Sequence, residues 1–216
     1  MNKSVFISTL GCSKNLVDSE VMLNILLENG LQKVDSPQLA DIAVINTCGF
    51  IESAKEESIN EILEIAKYKQ IGKLKYLIVT GCLSQRYSEE LKKELPEVDS
   101  FLGTTSFEHI YNIIQGLELG ENNSLILDIN HDLKPDSKRS LLTEKYTAFL
   151  KIAEGCDNLC TYCIIPKLRG KYRSRKLEDI VKEAKELAAS GVKEIIIIAQ
   201  DTTKYGLDIY NEKSLP

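Results

Sequence analysis

Ile42-Ala43-Val44-Ile45-Asn46-Thr47-Cys48-Gly49 reads as a short β-branched strand that runs straight into a cysteine and a glycine. Two other short strands end the same way. Residues 4–10 close on Leu10-Gly11-Cys12 and residues 76–80 on Thr80-Gly81-Cys82, with a weaker strand near residues 98–102. Helical periodicity fills the gaps, with Val17, Val21, Leu23 and Leu27 within residues 16–28, and Ile59, Ile62, Leu63 and Ala66 within 54–68. Ser88-Glu89-Glu90-Leu91 predicts a further helix start, an N-cap followed by early acids. Strands alternating with helices predict an α/β fold built on an open parallel, Rossmann-like sheet.

Beyond this unit the composition changes. Gly120 to Lys145 carries Asn122-Asn123, Asp128, Asp132, Pro135-Asp136 and Ser137 with only brief apolar stretches, the pattern of an interdomain connection. A second βα unit follows, with a strand at residues 148–153, a long cysteine loop, a helix at 177–190 capped by Gly191 and a strand at 194–199. Ile195-Ile196-Ile197-Ile198 predicts a strand buried on both faces, as in a parallel barrel or a doubly wound sheet. The expected division is residues 1–120 as a first domain, 121–145 as a linker and 146–216 as the opening of a second. Two strands cannot close a barrel, so the second domain is expected to be incomplete.

Charge and composition narrow the classes. The 216 residues are 43% hydrophobic and 27% charged, a globular balance, and the net charge of -5 argues against broad electrostatic binding to nucleic acid. A basic run, Lys167, Arg169, Lys171, Arg173, Arg175 and Lys176, reads either as a solvated surface or as a local site for a carboxylate. No apolar run approaches the roughly 20 residues that span a bilayer. The start resembles a lipoprotein leader, but its apolar run is broken by Ser8 and Thr9 well short of the roughly 7 to 15 residues required. A cytoplasmic setting is therefore expected, where clustered thiols stay reduced.

All six cysteines stand in meaningful places. Cys156, Cys160 and Cys163 form a C-x3-C-x2-C loop after a strand, able to give three thiolates to three irons of a cubane cluster and leave the fourth iron open. A zinc knuckle or a Cys160/Cys163 dithiol is the plainer alternative, but His109 and His131 lack ligand spacing to the loop. Cys12, Cys48 and Cys82 are far apart in sequence, yet the carboxyl ends of parallel strands line one edge, where ligands bind. A small buried hydrophobe is the lesser alternative for any one of them taken singly. No G-x-G-x-x-G follows the first strand, which weakens a dinucleotide-binding reading.

With these residues in view, the chain resembles the methylthiotransferase family of radical S-adenosylmethionine enzymes, from Ser8 to about Tyr210. The C-x3-C-x2-C loop with Tyr162 before its last cysteine matches the superfamily signature, and Cys12, Cys48 and Cys82 match the family's amino-terminal domain. Gly11 to Glu20, Cys48 to Ala54, Leu168 to Arg175 and Ala199 to Thr203 are similar to the branch that modifies an aspartate of a small-subunit ribosomal protein.

The resemblance implies two [4Fe-4S] clusters and S-adenosylmethionine as cofactors, the second domain being the start of a radical-SAM (β/α) barrel. The cluster on Cys156, Cys160 and Cys163 would cleave S-adenosylmethionine to a 5′-deoxyadenosyl radical that removes hydrogen from the aspartate β-carbon. A sulfur species on the Cys12, Cys48 and Cys82 cluster, methylated by a second S-adenosylmethionine, would then be transferred to that carbon. Tyr162, Gln200, Asp201 and Thr202 are the implied cofactor-binding residues, ordinary loop packing being the alternative for each. Implied partners are the ribosomal protein and a flavodoxin-like or ferredoxin-like reductant. Alternatives are a tRNA adenosine methylthiotransferase, for which nucleic acid would be the partner, and an inactive iron-sulfur or zinc-binding module.

Overall fold

The computed structural model describes residues 3–131 and 138–215. Asp132, Pro135, Asp136 and Ser137, which contributed to the expected connection, lie outside the described residues.

Five parallel strands form the first sheet: β1 (Ser4–Thr9), β2 (Gln32–Lys33), β3 (Ile42–Thr47), β4 (Tyr76–Gly81) and β5 (Ser100–Phe101), in the order β2-β1-β3-β4-β5. All six residues of β3 are buried, because the strand lies mid-sheet with helices on both faces. Period-2 alternation sends Ile42 and Val44 to one face, against Val21, Met22 and Leu26 of α1 (Ser13–Glu28) and Ile110, Ile113 and Ile114 of a later helix. Ala43 and Ile45 pack on the other face with Ile62 and Ile65 of α2 (Glu52–Ala66). Each buried Val, Ile, Leu or Met among these contributes about 1.5–3 kcal/mol.

Several expected boundaries change: the first helix begins at Ser13 rather than at residue 16, β5 covers only Ser100–Phe101 of the expected 98–102, and β2 has no counterpart in the sequence reading. The second helix stops at Ala66, and a separate turn, α3 (Tyr68–Ile71), follows. The helix expected to open at Ser88 begins instead at Cys82, as α4 (Cys82–Glu94), with non-helical backbone at Tyr87 (φ -125°). The N-cap signal at Ser88 thus marks the restart after a kink, not the helix start. Helix α5 (Ile110–Glu118), absent from the sequence reading, buries Ile110, Ile113, Ile114 and Leu117 at the i, i+3, i+4, i+7 spacing of a core face.

The connection is packed against the first unit. Leu125 pairs with Leu102 at the sheet edge, its N–H donating to Phe101 O at 2.8 Å. Arg139 ion-pairs with Glu20 of α1 at 2.7 Å, and Leu142 N–H donates to the same carboxylate at 2.9 Å.

In the second unit the expected strand at 148–153 is two strands, β6 (Thr147–Lys151) and β7 (Ala153–Glu154). After the cysteine loop come α6 (Ile165–Arg169), β8 (Arg173–Ser174), α7 (Leu177–Ala189), β9 (Glu194–Ile198) and α8 (Leu207–Tyr210). β6 pairs with β9 in parallel and β7 with β8 antiparallel. Ile196 and Ile197 are 38% and 45% exposed, which corrects the expectation of a strand buried on both faces. Among the described residues β9 has one strand neighbour, β6, so an apolar run here does not mean a central strand.

Candidate functional site

The parallel register brings the three sheet-end cysteines to one edge. Cys12 follows β1 and caps α1, Cys48 follows β3, and Cys82 opens α4 directly after β4. The glycines beside them are needed for the approach. A Cβ at Gly11 would lie 2.9 Å from Cys48 Sγ, and one at Gly49 would lie 3.0 Å from the Cys82 carbonyl oxygen. Glycine therefore leaves space where three backbones converge. Two helix N-termini, α1 and α4, point their free N–H groups at this edge, a favourable field for thiolates.

One side chain ties the edge together. Asn15, fully buried, donates through Nδ2 to Leu10 O (2.9 Å) and Thr47 O (3.0 Å), and its Oδ1 lies 3.9 Å from Cys82 Sγ. It thereby touches all three cysteine-bearing strand ends. Cys48 is fixed separately, its N–H donating to Ser58 Oγ at 3.0 Å. Cys82 is buried and Cys12 exposed. Burial pushes the Cys82 thiol up, the Arg169 guanidinium beside it opposes that shift, and the neighbouring Cys12 and Cys48 add to it.

Arg169 belongs to the second unit. The basic run that holds it is not wholly a solvated surface: Arg169 is 2% exposed, and Arg175 pairs with Glu183 at 2.6 Å. Arg169 Nη1 meets Asp18 Oδ2 at 2.8 Å and Glu154 Oε2 at 3.2 Å, while Lys151 Nζ reaches Asp18 Oδ1 at 2.5 Å and Glu154 Oε2 at 3.0 Å. Burial alone would push the Glu154 carboxyl up, but Lys151 and then Arg169 outweigh it and hold it down at about 2. Sequence spacing gives no hint of this quartet, whose members join α1 to residues more than a hundred positions away.

The second cysteine group lies on an irregular loop. Cys156 N–H donates to Gly170 O at 3.1 Å, Cys163 N–H donates to Cys160 O at 3.0 Å, and Leu159 adopts a positive φ of 51°. A Cβ at Gly155 would fall 2.0 Å from Lys171 O, so the loop enters against the 170–171 backbone with no room for a side chain. A cavity of about 520 Å³ lies beside it, lined by Cys156, Asp157, Leu159, Pro166 and Lys171 among others.

Of the other expected site residues, Asp201 is brought to the loop. Its Oδ2 accepts from Asn158 Nδ2 at 3.0 Å, its Oδ1 accepts from Thr203 Oγ1 at 2.6 Å, and its carbonyl accepts from Tyr172 O–H at 2.9 Å. Hydrogen bonds from Thr203 and then Asn158 hold its carboxyl below the usual range. Gln200 and Thr202 are half-buried at the end of β9, whereas Tyr162 is 90% exposed at the loop tip.

Among the described residues, no three His, Cys, Asp or Glu side chains are gathered so as to hold a single metal ion. In an iron-sulfur cluster each thiolate binds its own iron, so the ligands need not crowd one centre. The donor sets, three cysteines in each place, have the chemistry for such a group.

Two family models match this arrangement. Residues 4–103 match the Uncharacterized protein family UPF0004, and residues 150–214 match the Radical SAM superfamily. The fold and matches together define a radical SAM protein with a parallel-sheet domain at its amino end. The chain is 56% identical over 213 residues to the "Ribosomal protein uS12 methylthiotransferase RimO" of Clostridioides difficile (strain 630), covering 98% of this chain and 48% of that protein. It is 55% identical over 217 residues to the protein of the same name from Thermoanaerobacter sp. (strain X514), covering 99% of this chain and 49% of the relative. The chain belongs to the radical SAM methylthiotransferase family, in the group similar to these RimO proteins, and spans about half the length of the curated relatives it matches.

Proposed function

We propose that the chain carries out the cluster-binding part of a methylthiotransferase that adds a methylthio group to the β-carbon of an aspartate in a small-subunit ribosomal protein. The single observation that carries this is the convergence of Cys12, Cys48 and Cys82 on one sheet edge, in a chain that also bears the C-x3-C-x2-C loop. The relatives' names supply the substrate, and they lend no support to the tRNA alternative.

In this reading Cys156, Cys160 and Cys163 hold one [4Fe-4S] cluster, and Cys12, Cys48 and Cys82 a second. When bound, an open-iron cluster with S-adenosylmethionine would supply radical chemistry strong enough to take hydrogen from an unactivated carbon, which no closed-shell side chain can do. The protein's own work is placement. Asp201 anchors the cysteine loop through Asn158, while Gln200 and Thr202 at the strand end and Tyr162 on the loop face the cofactor. Gly170 holds Cys156 from behind and leads directly to Arg169 at the other site.

The domain division proposed is 1–120, 121–145 and 146–216, the last an opening portion of a radical-SAM barrel. The remaining partner proposed is a flavodoxin-like or ferredoxin-like reductant. The proposed setting is cytoplasmic. Among the described residues no helix is long and apolar enough to cross a membrane.

The test is iron and acid-labile sulfide per chain after anaerobic reconstitution, with 5′-deoxyadenosine formation under reducing conditions. About eight irons, falling to about four in the Cys156→Ala, Cys160→Ala, Cys163→Ala triple variant, supports the two-cluster reading. Zinc in place of iron, with no 5′-deoxyadenosine, replaces it with a metal-binding module.

A further inference from the structure

We propose that Arg169 is a positioning residue for the Cys12, Cys48 and Cys82 site, holding a fixed positive charge and an N–H donor against the Cys82 side and so raising the reduction potential of the iron-sulfur group bound there. This rests on the reading of those three cysteines as cluster ligands.

The geometry is unusual for a structural ion pair. Arg169 reaches the edge of the first sheet from α6 of the second unit, and its Nη2 donates to Asn15 Oδ1, the same oxygen that lies 3.9 Å from Cys82 Sγ. Nη1 is engaged by Asp18 and Glu154, which fixes the plane of the guanidinium. Its Nε–H is buried and has no hydrogen-bond partner. An arginine used only to neutralise Asp18 and Glu154 would have no need to aim at Asn15 and the cysteine, because Lys151 already contacts both carboxylates.

Two acids and two bases balance within the quartet, so what Arg169 adds at the sulfur is direction more than net charge. Reducing a cluster makes it more negative, and a guanidinium or N–H donor facing one of its sulfurs in a buried, low-dielectric setting stabilises the reduced state. The charge on Arg169 is also permanent across the physiological range.

The experiment uses the 216-residue chain with Cys156, Cys160 and Cys163 changed to Ala, so that iron reports the sheet-end site alone. In that background, the parent is compared with Asp18→Asn, with Asp18→Asn/Arg169→Gln, with Asp18→Asn/Arg169→Met and with Asp18→Asn/Arg169→Lys. Removing one acid together with the base keeps the remaining Lys151 and Glu154 paired, and two replacements guard against loss of fold. Iron content, urea midpoint and an EPR-monitored reductive titration are read for each.

The expected result is retained iron with a reduction midpoint more negative than that of Asp18→Asn in the Gln and Met double variants, and recovery toward Asp18→Asn in Asp18→Asn/Arg169→Lys. A folded, iron-loaded Gln or Met double variant with the midpoint of Asp18→Asn overturns the proposal. So does an Asp18→Asn/Arg169→Lys midpoint as negative as that of the Gln and Met variants. A parent that takes up no iron overturns the cluster reading itself, and with it this inference.

Discussion

Asn158 Nδ2 donates to Asp201 Oδ2 at 3.0 Å, so the end of β9 grips the cysteine loop 43 residues earlier, at the position midway between Cys156 and Cys160. Few other contacts restrain that stretch, since Leu159 and Tyr162 project into solvent. Asp201→Ala is expected to leave the urea midpoint unchanged, because the pair is exposed and exposed pairs contribute little. It should shorten the half-life of iron on the loop under chelator challenge, measured in a Cys12→Ala, Cys48→Ala, Cys82→Ala background. An unchanged half-life would remove Asp201 from the loop's support.

Asp18→Ala is expected to cost about 3–5 kcal/mol of unfolding free energy, because it strands Lys151 and Arg169 beside a single remaining carboxylate in a buried setting. Urea denaturation followed by far-UV circular dichroism measures it. Asp18→Asn should cost less, since the amide oxygen still accepts from one cation.

Gly81 has φ +95° and ψ -162°, a region open essentially to glycine, and a Cβ there would lie 2.4 Å from Asn46 Oδ1 and 2.5 Å from Thr47 O. Gly81→Ala should therefore destabilise by at least about 2 kcal/mol and displace Cys82, the next residue. The check is paired: unfolding free energy, and iron bound by the triple variant that keeps only the sheet-end cysteines. Normal iron uptake would show that Cys82 tolerates the displacement.

The Glu154 carboxyl, held at about 2 in the fold, stabilises the native state most above its unfolded value of about 4.3, and that contribution fades as pH falls from there toward 2. Its full size is on the order of 3 kcal/mol. Glu20 acts with the opposite sign, since burial pushes its carboxyl up against the pull of Leu142 and Arg139. Urea midpoints at pH 7, 5, 4 and 3 should fall more steeply in the parent than in Glu154→Gln. Parallel curves would remove Glu154 as the acid-sensitive group.

The three central strands and their cysteine ends are legible because β1, β3 and β4 are short, apolar and closed by the same Cys/Gly signature, whereas the two-residue edge strand β2 (Gln32–Lys33) has no apolar run to announce it. Helix α5 is equally legible in principle, as Ile110, Ile113, Ile114 and Leu117 fall on one stripe. The isoleucine run of β9 misled because apolar content reports what a strand can bury, whereas its burial is set by neighbours. Arg169 was legible only as one of six basic residues. Its partners Asp18 and Asn15 lie 151 and 154 positions earlier, and pairing over that span leaves no periodicity to read.

Helix α1 carries buried Asn15, Asp18 and Glu20 whose partners Arg139, Lys151 and Arg169 all come later in the chain. During synthesis, the first sheet emerges before those residues exist. The ionic lock that joins the two units can therefore close only after the second has been made, so the order of translation sets when it forms.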